Sequence, residues 1–256
     1  VPQDVHITTR YKDSDFLQAL FGGVHETGHA RYQQNLPQEW LDQPMGIGRS
    51  MGVHESQSLL FEIQLARSTP FLRVLHPLVV EQFGPQPALT ETNFIALNQW
   101  VKPGLIRVEA DEVSYSLHVR LRYEIEKALI EGEIEVDDVP ALWNEKMLRY
   151  LGINTEGNYQ NGCMQDIHWS VGAIGYFPTY MLGAMYAAQL FQTASKAVPQ
   201  LEAEIEEGNL QGLSGWLKHN IWSKGSQYPT DELIFNATGE AFNVRYFRAH
   251  LERRFL

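Results

Sequence analysis

Residues 25 to 29 read His-Glu-Thr-Gly-His, two imidazoles four positions apart with a carboxylate beside the first. On a helix, positions i and i+4 share a face one turn apart, so both rings can reach one cation at about 2.0–2.1 Å. Glu26 then stands next to that ion, placed to take a proton from a water bound to it. Such chemistry is metal-assisted hydrolysis, and it needs a third protein ligand and one open position. Downstream, His54-Glu55-Ser56-Gln57 opens a second helical pattern. Glu55 can return to the ion if that helix packs antiparallel on the first. On composition His54 and Glu62 compete for the same role, and spacing does not choose among the three.

The bland alternative is a chance match on a surface helix. Gly22, Gly23 and Gly28 weigh against it, because each costs up to about 1 kcal/mol relative to Ala inside a helix. Glycines held at that cost suggest close approach of another backbone or a ligand. Elsewhere His118, Arg122 and Glu126 fall on one helical stripe, whose ordinary reading is a solvated or salt-bridged face. His76, His219 and His250 read as surface or helix-end residues, and Cys163 as a small buried thiol. An acidic group among Glu109, Asp111 and Glu112 could accept the second N–H of a ligand histidine.

The elements that must position these groups are mostly helices. A helix capped by Asp13 or Ser14 carries Phe16, Leu20 and Val24 at helical spacing and stops at Asn35, Leu36 and Pro37. LPQEWLDQPMGIGRSMG follows, and its Pro and Gly content makes it the segment best suited to act as a mobile flap. Further helices run from about Val53, from Pro70 to Phe83, over 113–130 with Leu117, Leu121, Ile125 and Leu129 on one stripe, and from Asp138 and Pro140 to Gly152. NTEGNYQNGCMQDIHW is a polar loop with many chemically able groups. Helices at 178–196, 199–207, 210–223, 230–237 and 243–255 complete the chain. DVHITTRY alternates β-branched and polar residues with a period of two and predicts a strand. The expected class is mainly α with a small sheet near the front.

Bulk properties narrow the partners. The 256 residues are 44% hydrophobic and 20% charged, ordinary for a soluble globular protein. A formal net charge of −11, with no basic run, works against nucleic acid. No apolar run approaches the roughly 18 to 20 residues that span a bilayer, so no membrane partner is expected. The single cysteine agrees with a reducing, cytoplasmic compartment.

Four separated stretches, HETGHA at 25–30, HESQSLLFE at 54–62, LRYEIE at 121–126 and GCMQDIHW at 162–169, together resemble the carboxypeptidase Taq family of thermostable metallocarboxypeptidases. The resemblance implies Zn2+, or Co2+ in its place, held by His25, His29 and Glu55, with Glu26 as general base. It implies a zincin-like multi-helix fold with a short antiparallel sheet beside the active-site helix, and a homodimer. It covers the whole chain, so 1–256 is expected to be a single catalytic region corresponding to the C-terminal half of a longer protein. The implied reaction releases single residues from peptides with a free C-terminus. Arg122 would then hold the terminal carboxylate through paired N–H donors. Gln165, His168 and Tyr176, or Tyr159 in its place, would bind substrate and stabilise the oxyanion. The alternative at His168 and Trp169 is a packed, hydrogen-bonded corner. One departure stands out: where the family has D-x-R-x-x-T, Asp4-Val5-His6-Ile7-Thr8-Thr9 carries His6, which weakens carry-over of the substrate-length limit associated with that arginine. The competing readings are a zinc endopeptidase or aminopeptidase with the same metal chemistry, and a non-catalytic metal-binding or interaction module.

Overall fold

A computed structural model describes residues 4–256. It divides into two compact units, one formed by residues up to Gln99 together with Leu182–Leu256, the other by Trp100–Met181. No helix among the described residues is long and apolar enough to cross a membrane.

In the first unit α1 (Phe16–Gln34) starts at Asp15, whose side chain accepts from the Gln18 N–H at 3.2 Å, and ends where Asn35 donates back to the Arg31 carbonyl. The cap lies one or two residues beyond the candidates the sequence offered. α2 (Met51–Leu59) begins at Ser50, whose hydroxyl accepts from the Val53 N–H at 3.3 Å. Ser50 does so at φ 42°, in a region β-carbon-bearing residues seldom occupy. The helix then widens into a π-helical segment, Leu60–Ala66, closed by an Arg67 N–H to Glu62 carbonyl bond spanning five residues. α3 (Thr69–Phe83) and α4 (Glu91–Asn98) are capped by Ser68 and Thr90.

The helix α7 (Phe177–Ala197) enters this unit at Leu182, and α8 (Leu201–Glu206), α9 (Gln211–Asn220), α10 (Thr230–Thr238) and α11 (Arg245–Phe255) follow. Tyr32, Val53, Leu60, Leu65, Leu190 and Leu217 meet in the main core, fully or almost fully enclosed. Each such side chain contributes about 1.5–3 kcal/mol by burial. The loop at 36–52 is pinned: Ser226 donates to the carbonyls of Met45 and Ile47, and Gly46 lies so close to the Trp40 carbonyl that no β-carbon would fit.

In the second unit α5 (Glu112–Ile130) and α6 (Val139–Leu151) pack through Leu121, Ile125, Trp143, Met147 and Leu151, with Leu117 and Leu129 at the margin. The leucine stripe read from the sequence therefore faces α6. Gly152 ends α6 at φ 71°, the left-handed conformation glycine allows.

The expected small antiparallel sheet is absent. Among the described residues there is no strand; DVHITTRY is irregular, and the only pairing near it is an isolated bridge between Lys12 and Asp15. Alternation makes a strand only when a neighbour takes the ladder hydrogen bonds and one face is buried. Here Ile7, which should point inward, is 48% exposed. Just before α5 the chain forms a 3-10 turn, Arg107–Glu109.

Candidate metal centre

His25 and His29 sit on the α1 face that meets α2. Gly28 makes that meeting possible: a β-carbon there would run into the carbonyl oxygen of Gln57 and lie 2.6 Å from Cα of Ser58. Of the three glycines singled out in α1, this is the one whose bareness is needed; Gly23 has open space around it. The close crossing brings Glu55, buried at 7% exposure, against both rings. Its Oε1 is 3.9 Å from Nε2 of His25 and its Oε2 is 3.4 Å from Nε2 of His29. Glu55 is itself backed by Gly183, where a β-carbon would come within 2.8 Å of its Cβ and Cγ.

One ligand atom from each of His25, His29 and Glu55 lies within 4.8 Å of the others. Ligands held about 2.1 Å from a tetrahedral ion stand about 3.4 Å apart, so the spacing fits a single cation better than direct hydrogen bonds. Two neutral imidazoles and a carboxylate are also the donor chemistry that zinc takes in catalytic sites. Of the three groups weighed for a third ligand, Glu55 is the one that lies beside both Nε2 atoms. Glu26 follows His25 on the helix and is half-buried.

The other two candidates for the third ligand occupy the far edges of the rings. Glu62 Oε2 is 2.9 Å from Nδ1 of His25, and its Oε1 accepts from Arg67 at 3.2 Å. His54 Nδ1 is 2.6 Å from Nδ1 of His29. Burial works against a charged His25, but the hydrogen bond to Glu62 and the charges of Glu55, Glu62 and Glu26 outweigh it and raise its pKa. Burial likewise opposes the Glu62 carboxylate, and His25 and Arg67 reverse that and hold it below its ordinary range. Burial, and then the neighbouring His29, push His54 down to about 4. Of the acids suggested for the outer hydrogen bond, Asp111 caps α5, accepting from the N–H groups of Val113 and Ser114.

The substrate-binding candidates lie in the second unit and centre on Asp166. Arg107 donates to its Oδ1 through Nε at 3.0 Å and Nη2 at 2.8 Å, and Arg122 donates to its Oδ2 through Nε at 2.6 Å. Arg122 is fully enclosed, stacked over Trp143 at 4.5 Å, with Nη1 donating to the His118 carbonyl and Nη2 without a partner. Burial lowers its pKa to about 10, with Arg107 acting in the same sense. Asp166 is pushed up by burial and pulled further down by Arg122 and Arg107.

Gln165 accepts from the Arg107 N–H and donates to the carbonyls of Leu105 and Asn161, so both ends of its amide are engaged. His168 Nε2 is 2.9 Å from the Tyr180 hydroxyl, and its ring packs on Phe177 and Tyr176 with centroids 4.3 and 5.4 Å away. Glu126 accepts from Trp169 Nε1 and the Gly175 N–H. The stripe His118, Arg122, Glu126 is thus buried, and its charges are met inside the unit. Sequence reading passed over Arg107 and Tyr180.

The chain has matches among known proteins. The family model described as carboxypeptidase Taq (M32) metallopeptidase matches residues 1–255. The chain belongs to the carboxypeptidase Taq (M32) family. Within it, the chain is 41% identical over 256 residues to carboxypeptidase 1 of Bacillus subtilis, covering 98% of this chain and 50% of that protein. It is 42% identical over 254 residues to thermostable carboxypeptidase 1 of Thermus thermophilus, covering 99% and 50%. Metallocarboxypeptidase 1 of Trypanosoma cruzi superposes with a TM-score of 0.93 at 49% identity, covering 96% of this chain and 52% of that one. The chain thus spans about half the length of the M32 relatives it matches. A metallopeptidase family implies a metal, and the His25, His29, Glu55 trio is suited to hold one.

Proposed function

We propose that this chain carries the catalytic centre of a zinc-dependent metallocarboxypeptidase that releases single residues from peptides with a free C-terminus. The observation that carries the reading is the carboxylate of Glu55 facing Nε2 of His25 with one oxygen and Nε2 of His29 with the other, at 3.9 and 3.4 Å. His25, His29 and Glu55 would hold the ion. When bound, zinc would supply Lewis-acid polarisation of the scissile carbonyl and of a water. Glu26, adjacent to His25 on the same helix, would take the proton from the attacking water and return it to the leaving amine. Arg122, whose Nη2 is left without a partner, would recognise the terminal carboxylate once the enclosed cluster it forms with Arg107 and Asp166 opens to the substrate. His168 and Tyr176 would serve the oxyanion and substrate backbone, and Gln165 would hold the Arg107 backbone in place.

Purified chain loaded with Zn2+ or Co2+ should release free amino acids from a peptide with a free C-terminus and none from the same peptide amidated. Glu26→Gln should keep the metal and lower turnover by about 10²–10⁴-fold. Normal turnover in that variant refutes the general-base role. Cleavage of the amidated peptide points to an endopeptidase or aminopeptidase, and metal binding without any release points to a metal-binding module.

A further inference from the structure

Each imidazole that faces Glu55 has a second nitrogen, and each of those is engaged by a side chain the reaction itself does not use. We propose that Glu62 and His54 are positioning residues that fix the tautomer and aim of His25 and His29, one through a carboxyl group and the other through a second imidazole. The inference rests on the metal-centre reading above and deepens it.

For His25 the partner is built as a chain. Nδ1 meets Glu62 Oε2 at 2.9 Å; Glu62 Oε1 accepts from Arg67 Nη2 at 3.2 Å; the Arg67 guanidinium lies 4.1 Å over the ring of Phe21, which is on α1 itself. The carboxylate is thereby held between the ring it serves and a cation anchored back on the same helix. Its position depends on the π-helical segment Leu60–Ala66. On a regular α-helix Glu62, seven residues after Glu55, would stand almost directly above it along the axis. The wider π turn swings it off that line, so the two carboxylates meet opposite nitrogens of His25. π segments inside α-helices recur at functional sites, and this one carries the residue that needs the displacement.

For His29 the partner is wedged. The His54 ring lies between His29 and Tyr32, with centroids 4.7 and 5.2 Å away. Tyr32 is fully buried, and its hydroxyl accepts from the Arg49 N–H at 2.8 Å. On the other side Gly48 leaves no slack: a β-carbon there would come 3.2 Å from both His54 Cδ2 and Tyr32 Cε1. Only one proton fits between two Nδ1 atoms 2.6 Å apart. For His29 to keep a lone pair on Nε2 toward Glu55, its own proton must be on Nδ1, donated to His54. His54 must then accept at Nδ1 and carry its proton on Nε2.

The two partners are not equivalent. A carboxylate behind an imidazole raises its basicity as a ligand more than a neutral acceptor does, so His25 should be the stronger ligand of the two. Loss of such an outer partner ordinarily weakens metal affinity by about 10- to 100-fold.

The test uses the full chain and two readouts that do not involve peptide hydrolysis. Zn2+ affinity is measured by competition with a chromophoric chelator. The protonated nitrogen of each histidine in the metal-free chain is read from ¹⁵N chemical shifts above the titration of the rings. Wild type should show His25 and His29 protonated on Nδ1 and His54 on Nε2. Glu62→Leu should weaken Zn2+ about 10- to 100-fold and let His25 populate both tautomers, with Glu62→Gln falling between because its amide oxygen still accepts. His54→Phe should weaken Zn2+ less than Glu62→Leu, and His54→Asn, which restores an acceptor, should recover part of the loss. Unchanged tautomers and affinity in Glu62→Gln and His54→Phe overturn the proposal, as does a wild-type His29 protonated on Nε2. If wild type binds no divalent ion the metal-centre reading fails, while the tautomer measurement still decides the positioning roles.

Discussion

Two carboxylates in this molecule are each set between a pair of nitrogenous side chains, and they are satisfied differently. Asp166 receives its partners directly, Arg122 at 2.6 Å and Arg107 at 2.8 Å, inside an enclosed cluster. Glu55 stands 3.4 and 3.9 Å from His29 and His25, whose side chains remain 23% and 22% exposed. The difference is one of charge supply. Guanidinium brings its own permanent cation, so the Asp166 cluster closes on itself. A neutral imidazole brings only a lone pair, so with both rings neutral three acceptors around Glu55 face a common space and the positive charge must come from outside. The outer contacts agree: Glu62 and His54 engage the opposite nitrogens and leave both Nε2 atoms directed at Glu55.

That contrast can be broken by removing each carboxylate. Asp166→Asn leaves two buried guanidiniums short of an anion and should destabilise the chain by about 3–5 kcal/mol in urea unfolding. Glu55→Gln in metal-free chain should cost less than about 1 kcal/mol, while abolishing tight Zn2+ binding in dialysis and metal analysis. Equal stability losses in the two variants would erase the distinction. A smaller effect should come from Gly28→Ala, whose methyl would press on the α2 backbone at Gln57 and Ser58. We expect a loss of about 1–3 kcal/mol and weaker Zn2+ binding as Glu55 is moved away. Gly23→Ala, with open space around it, should instead stabilise by up to about 1 kcal/mol.

The closed cluster should also respond to pH. His118 donates from Nε2 to the Gly104 carbonyl and faces Arg122, Arg107 and Asp166. Burial, and then Arg122, push its pKa from 6.5 to about 4. Between those values the unfolded chain binds the proton that the folded chain refuses, so stability falls as pH drops below 6.5 and this loss is complete near pH 4. One unit below the unfolded value the loss is about 1.4 kcal/mol. His118→Asn should flatten that part of the profile in urea unfolding at several pH values.

Much of the fold was legible locally. Helices α3, α5, α6, α7 and α10 fall within a residue or two of the spans read from apolar spacing and capping, because those signals act within a few residues of chain. The strand at DVHITTRY was not real, because a strand is a pairing and alternation shows only half of it. His250, taken for a surface residue, is buried at 3% exposure, since which side of α11 is covered depends on distant neighbours. Arg122 likewise read as a choice between a solvated face and a substrate contact, and neither reading included a buried pair with Asp166 44 residues away.

What the sequence by itself determined is the local chemistry: two imidazoles one helical turn apart with Glu26 between them, an arrangement fixed by the 3.6-residue period. Which of Glu55, His54 and Glu62 lies beside both Nε2 atoms was decided only by the tertiary structure. The close crossing permitted at Gly28 sets Glu55 against the inner edges of the rings and His54 against the outer edge of His29, and Glu62, in the π segment after Leu59, meets the outer edge of His25. Spacing along the chain carries no information about either, because both depend on how one helix backbone rests against another.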